Sequence, residues 1–494
     1  MAYSRTASPG GDSATVAPTS AWTQLIIRLH FYIGLFVGPF IFVAALTGTL
    51  FVLTPQLENV IYAQALRNDS QGTPKPLSAQ VQAALDSLGV QTTPYAVRPA
   101  PADGYNTRVM FSSPDLQSGE HRALFVDPVT LAIRGDLVVY GTSGNLPFRT
   151  WLDYLHRNML LGEFGRNYSE LAASWLWLAT LGGVFLWFIG KRRTSALQAS
   201  RSPRLKLRRM HGLVGLWIAI GLLFLSATGL TWSKWAGGRI GDVRQTMEWV
   251  TPSISSQLGR APSTSSGEHA DHGADHADHT DHTEHADHGT GQSPQAGHGT
   301  HQHTAGMIMP ISAQFDRILQ TTRDAGIDSH EIEIRTPRAS DQAWTVRETD
   351  RSWPTQVDAI AIDPATMTVT SRADFATFPL VAKLIRWGID MHMGILFGWV
   401  NQLLMATFGI ALCVIVALGY MMWFKRRPAP GAPVQTVVAA YTALSMPARA
   451  LALIAAIGLG WFLPLMGASL LAFLLVDMAR WAMQRRRSLR TRHA

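Results

Sequence analysis

Four histidines, His30, His156, His211 and His392, stand beside long apolar stretches, where an ionisable side chain is costly and marks a functional site by default. An imidazole carries one N–H and one basic nitrogen, so such residues exchange protons or ligate metals. Two imidazoles that face each other can hold a haem iron from both sides, and helix bundles build such sites from facing helices. The bland alternative is an interfacial histidine, wet on one side and needing no ligand. That reading suits any one of the four alone. It suits the set poorly, because they form repeat-related pairs and only His121, His330 and His493 otherwise lie outside one low-complexity run.

The pairing comes from an internal repeat. Arg28, His30, Gly34, Leu35, Thr47 and Gly48 recur as Arg209, His211, Gly215, Leu216, Thr228 and Gly229, at equal offsets from the histidine. His156 precedes Gly162 and Gly165, and His392 precedes Gly394 and Gly398. Asn167 and Asn401 each lie 24 residues before a Lys-Arg-Arg cluster. The glycine four residues after His30 or His211 would let a flat macrocycle approach the backbone closely.

The elements that must hold these side chains are membrane helices. Apolar blocks long enough to cross a bilayer, about 20 residues as helix, cover roughly Leu29–Leu53, Ser169–Ile189, Gly212–Trp232 and Val400–Phe424. A closely spaced pair lies within Met446–Trp481, split by Trp461-Phe462-Leu463-Pro464. About six spans follow, or five if the last pair is one bent helix. Basic clusters at Lys191–Arg193, Arg204–Arg209, Lys425–Arg427 and Arg485–Arg487 sit at span ends. By the positive-inside rule they are cytoplasmic, as are both termini, in a bacterial inner membrane. The net charge of +8 is thus spent at the bilayer and predicts no nucleic-acid partner. On this topology His30 and His211 fall near the inner face, and His156 and His392 near the outer one. The first span is too long for a signal h-region and reads as an uncleaved anchor. The single cysteine, Cys413, lies in a span, which leaves the outer segments without disulfides.

The long connections contain segments 54–150 and 307–385, each of which reads as a small α+β unit. A helix (Ser78–Leu88; Ile311–Ala325) precedes alternating strands, and each unit ends in a strand–turn–strand around Asp127-Pro128-Val129-Thr130 or Asp363-Pro364-Ala365-Thr366. The expected fold is a multi-pass α-helical membrane protein with internal duplication and two small extracytoplasmic α+β domains. With its Arg-x-His openings, two Asp-Pro-x-Thr hairpins and histidines before the second and fourth spans, the sequence resembles the PepSY-associated transmembrane proteins over about residues 25–427. These include iron-regulated inner-membrane proteins and ferrisiderophore reductases. Many such hairpins have Gly after the Thr, where this chain has Leu131 and Met367.

The resemblance implies PepSY-like outer domains, haem, and reduction of a ferric siderophore in iron uptake. Two haems of b type, since no Cys-x-x-Cys-His is present, would divide the hydrocarbon core of about 30 Å into shorter electron steps. Arg28 and Arg209 either neutralise haem propionates or anchor to lipid headgroups. No Gly-rich phosphate loop, Rossmann fingerprint or Ser/His/Asp set is present, so the electron donor would be the quinol pool or a separate reductase.

Residues Glu268–His303 carry ten histidines and seven acidic residues but no Lys or Arg. The core residues His269, His272, His276, His279, His282, His285 and His288 suit loose binding of Zn, Cu, Ni or Fe. Flanking Ser, Thr, Gly and Pro make the run a disordered insertion, and its bland reading is a solubilising, pH-responsive linker. Two rival functions stand beside the reductase: a non-enzymatic ligand-binding or peptidase-regulating protein, and a copper- or zinc-handling one. His121 and His330 read as surface residues, and Asp477 with Arg480 as an i,i+3 pair.

Overall fold

The computed structural model describes residues 20–89, 92–191, 203–258, 310–425 and 436–490. The histidine-rich run, His269 to His288 included, lies outside them. Five helices are long and apolar enough to cross a membrane: span 1 (Ala21–Val52), span 2 (Gly162–Gly190), span 3 (Pro203–Thr231), span 4 (Gly398–Phe424) and span 5 (Pro464–Met483). The helix before span 5, Met446–Phe462, has 17 residues. That is about 26 Å of rise, against a hydrocarbon core of about 30 Å. Leu463 leaves helical geometry and Pro464 begins a new helix, so the C-terminal pair is two helices rather than one bent helix.

Spans 1 and 3 begin earlier than hydropathy suggests. Ser20 caps span 1 by accepting the Thr23 N–H, and Pro203 opens span 3 among basic residues. His30 and His211 therefore lie two turns inside their helices and do not open them. Apolarity marks where lipid begins, whereas caps mark where the helix begins. Just after His30, a π-helical turn covers Ile33–Val37.

The chain divides into two compact units. The first takes in residues within 1–42, 170–227 and 411–494, parts of all five spans. Its C-terminal hairpin is tied down by Asp477, which is 1% exposed. The carboxylate accepts the Tyr32 hydroxyl at 2.5 Å and the Val438 N–H at 2.8 Å. These contacts replace the pairing with Arg480 expected from spacing alone.

The second unit, residues 43–169 and 228–410, contains the strands. They are β1 (Ala96–Arg98), β2 (Thr107–Phe111), β3 (Glu120–Val126), β4 (Ile133–Tyr140), β5 (Ile332–Arg335), β6 (Trp344–Glu348), β7 (Ala359–Ile362) and β8 (Val369–Ala373). The expected separate α+β units join into one eight-stranded antiparallel sheet, ordered β4-β3-β2-β1-β5-β6-β7-β8. A four-stranded lobe alone would leave the β1 or β5 edge unpaired, and edge-to-edge pairing removes that exposure. The helices Leu77–Leu88 and Ile311–Asp324 pack on the sheet through Val81, Ala84, Phe315 and Ile318, all fully buried. They also bond across the repeat, from Ser78 to Asp316 and from Ser312 to Gln82.

At the β1–β5 seam, Val97 faces Ile334, and the Arg98 side chain reaches Glu333. Glu333 accepts from Arg98 at 2.6 Å and from Arg335 at 2.6 Å, with 4% of its side chain exposed. Leu131 and Met367 take φ of 65° and 55°, so the turns need the left-handed geometry that glycine supplies in related hairpins.

Candidate functional site

Within the first unit, His30 and His211 face each other with ring centroids 6.3 Å apart and planes at 86°. His30 Nδ1 bonds the Ala179 carbonyl of span 2 at 3.0 Å, and His211 Nδ1 bonds the Ile415 carbonyl of span 4 at 2.9 Å. A carbonyl only accepts, so Nδ1 carries the proton in both rings, and each Nε2 keeps its lone pair.

Within the second unit, His156 and His392 form a second pair, with centroids 6.5 Å apart and planes at 59°. They end the two linking helices, Pro147–Asn158 and Leu380–His392. The Thr47 hydroxyl lies 3.1 Å from His156 Nδ1, and the Thr228 hydroxyl lies 2.7 Å from His392 Nδ1. Thr47 donates its own proton to the Val43 carbonyl at 2.7 Å, so its oxygen accepts from His156. In His156 the lone pair is again left on Nε2. Burial lowers the pKa of His156, and burial together with neighbouring His156 pushes His392 down to about 3. Both rings are then neutral at physiological pH, the form that binds a metal.

These pairs fit an iron held between two imidazoles. With metal–nitrogen bonds of about 2.0 Å and the ring centre about 1.2 Å further on, two axial imidazoles stand about 6.4 Å apart, centroid to centroid. The distances of 6.3 and 6.5 Å match that sum. All four histidines are part-buried residues among helices. A Cβ placed on Gly34 or Gly215 would meet no protein atom within 4 Å, which leaves the face beside each span histidine free for a flat group. A Cβ on Gly183 would instead meet the His30 ring at 3.3 Å, and one on Gly48 the His156 ring at 3.1 Å. Those two glycines seat the imidazoles. Among the described residues no three or more His, Cys, Asp or Glu gather as a metal site, so each pair offers two protein ligands.

Sequence spacing singled out the four histidines as candidates but not what touches their rings. Thr47 and Thr228 belong to the first repeat motif, and their common offset from His30 and His211 was the available signal. For spans 2 and 4, the Asn and Lys-Arg-Arg anchors set the register wrongly. Measured from His156 and His392, the bonded carbonyls of Ala179 and Ile415 both lie 23 residues on, and Gly183 and Gly419 both 27. Gly162 and Gly398 lie six residues on, with φ of 57° and 56°, a turn that favours glycine. Asn167 and Asn401 are not equivalent. Asn401 donates to the Met391 carbonyl at 2.8 Å, whereas in the first half Tyr168 does the matching work on the Leu155 carbonyl at 3.1 Å.

The remaining candidates stand apart from the rings. Arg28 is half-buried and Arg209 exposed, each about 200° around its helix from the histidine two residues on. His121 stacks on Tyr95 with centroids 3.8 Å apart, and His330 is exposed.

A family model described as the PepSY-associated TM region matches residues 27–426. No curated protein matches the chain.

Proposed function

The chain belongs to the PepSY-associated TM family, and from that premise we propose that it is a haem-containing membrane reductase. On this reading it passes electrons from the cytoplasmic side of a bacterial inner membrane to a ferric siderophore outside. The observation that carries the proposal is the pair of facing imidazole couples, 6.3 and 6.5 Å apart, with Nδ1 tied to oxygen. Haem b, when bound, supplies one-electron chemistry. The residues of the chain do the rest. His30 with His211, and His156 with His392, would hold the two irons. The four oxygens on Nδ1 orient the rings, and those on His30, His211 and His156 accept the Nδ1 proton and so raise the basicity of the ligand. One couple near each face, as the order of spans and basic clusters implies, would shorten the electron path across a core of about 30 Å.

The basic clusters at the span ends support placing both termini in the cytoplasm. The quinol pool or a separate reductase would supply electrons. The sheet would dock the chelate, and the histidine-rich run would collect divalent metal. A ferric siderophore needs no acid–base catalyst. One electron gives Fe(II), and oxygen-rich donors hold that softer ion less tightly.

Purified protein should show a Soret band, sharp reduced α bands and close to two non-covalent b haems. His30→Ala or His211→Ala should remove one haem, and His156→Ala or His392→Ala the other. Reduced protein should be reoxidised by a ferric siderophore with formation of Fe(II). Full haem content in all four variants would refute the ligand assignment, and reduced protein inert to every ferric siderophore would refute the reductase.

A further inference from the structure

The linking helix that ends at His156 carries a cation with hydrogen-bond donors left over. Arg149 lies seven residues before His156, within about 20° of two full turns, so both side chains leave the same face. The facing helix repeats the match. His156 meets Thr47 of span 1, and Arg149 lies 4.7 Å over the ring of Phe51, one turn further along that span. The Arg149 Nε and Nη2 atoms are buried, and neither has a hydrogen-bond partner among the described residues. Glu58 attracts the charge but hydrogen-bonds the backbone N–H of Arg149 at 3.2 Å, not these side-chain atoms. In the other half, Arg351 is already answered. It bonds fully buried Asp390, two residues before His392, at 2.5 Å, and Ser143 at 2.8 Å.

A guanidinium with two buried, unbonded nitrogens is costly to maintain unless an acceptor arrives. The acceptor it suits best is planar and anionic, because its fork of donors matches a carboxylate. It stands about 10 Å from His156 along the helix axis, the scale on which a carboxylate hangs from the rim of a macrocycle ligated at its centre. We propose that Arg149 is the counter-ion for a carboxylate of the macrocycle held between His156 and His392. This rests on the haem reading above and adds a residue that fixes the orientation of one haem in its plane. Arg149 positions the group and takes no part in electron transfer itself.

The test compares haem retention in wild type and in Arg149→Gln and Arg149→Lys. Apo-protein made in a haem-deficient host is loaded with haem b or its dimethyl ester, and haem loss to an excess of apomyoglobin is timed. With haem b, wild type should release two haems slowly, and Arg149→Gln should release one of them about ten- to a hundredfold faster, the worth of a charge-assisted hydrogen bond. Arg149→Lys should fall between. With the dimethyl ester, wild type should release that haem as fast as Arg149→Gln does, and the substitution should add nothing. Equal release rates in wild type and Arg149→Gln with haem b would overturn the proposal. So would an equal acceleration with haem b and with the ester, which would make Arg149 a packing residue or the holder of a free anion. Wild type that takes up no haem would instead bring down the underlying reading, separately from these outcomes.

Discussion

An imidazole can ligate through either nitrogen, and here the choice is made by what touches Nδ1. Each of the four histidines has an oxygen there, two from backbone carbonyls and two from threonine hydroxyls. The hydroxyls can be removed by substitution. Thr47→Val keeps the shape of the side chain but strands the His156 N–H, Thr228→Val removes the partner of His392 Nδ1, and loss of such an outer-shell partner typically lowers affinity about ten- to a hundredfold. Haem titration should show that loss at the His156–His392 couple and no change at the other. Thr49→Val is the control, because the Thr49 hydroxyl is spent on Ala45 of its own helix at 2.7 Å. Equal affinity in Thr47→Val and Thr49→Val would show that the hydroxyl orients nothing.

The two α+β lobes depend on each other at the β1–β5 seam, where Glu333 sits between Arg98 and Arg335. Burial would raise the Glu333 carboxyl, but the two guanidiniums outweigh it and hold its pKa at about 2. Since the folded value lies below the unfolded one, the unfolded chain takes up the proton first. The stabilisation is therefore complete above the ordinary carboxylate range, near pH 4.3, and fades as pH falls toward 2. Removing the charge while leaving part-buried Arg98 behind should cost about 3 kcal/mol at pH 7. Thermal unfolding of the full chain in detergent, followed from pH 7 to pH 3, should find Glu333→Gln less stable at neutral pH and its stability less dependent on pH. A variant with the wild-type melting profile across that range would show the seam to rest on backbone pairing alone.

For the whole molecule, the duplication explains why ligands arrive in couples. Each half supplies one member of each pair and its own support for that member, so His30 with Ala179 faces His211 with Ile415. The one large insertion that breaks the repeat is the histidine-rich run, which has no counterpart in the first half. Deleting Glu268–His303 should leave membrane insertion and the haem spectrum intact, while isothermal titration finds fewer divalent ions bound. Loss of haem on deletion would mean that the run is part of the fold.

The membrane spans, the duplication, the α+β character of the connections and the four histidines were legible in the residues. Each leaves a one-dimensional trace: hydropathy over about 20 residues, a shared set of offsets, alternation of period two, and a costly side chain beside an apolar run. What the sequence could not carry was anything decided by contacts between distant segments. That the two lobes share one sheet depends on β1 pairing with β5, more than 230 residues apart in the chain. The destination of Asp477, near Arg480 in sequence but bonded to Tyr32, depends on which helix the C-terminal hairpin meets. The matched registers of Ala179 with Ile415 and of Gly183 with Gly419 were present in the numbering, but only the rings they touch identify which offsets count. A backbone carbonyl acts as an acceptor through position alone, and position is what folding adds.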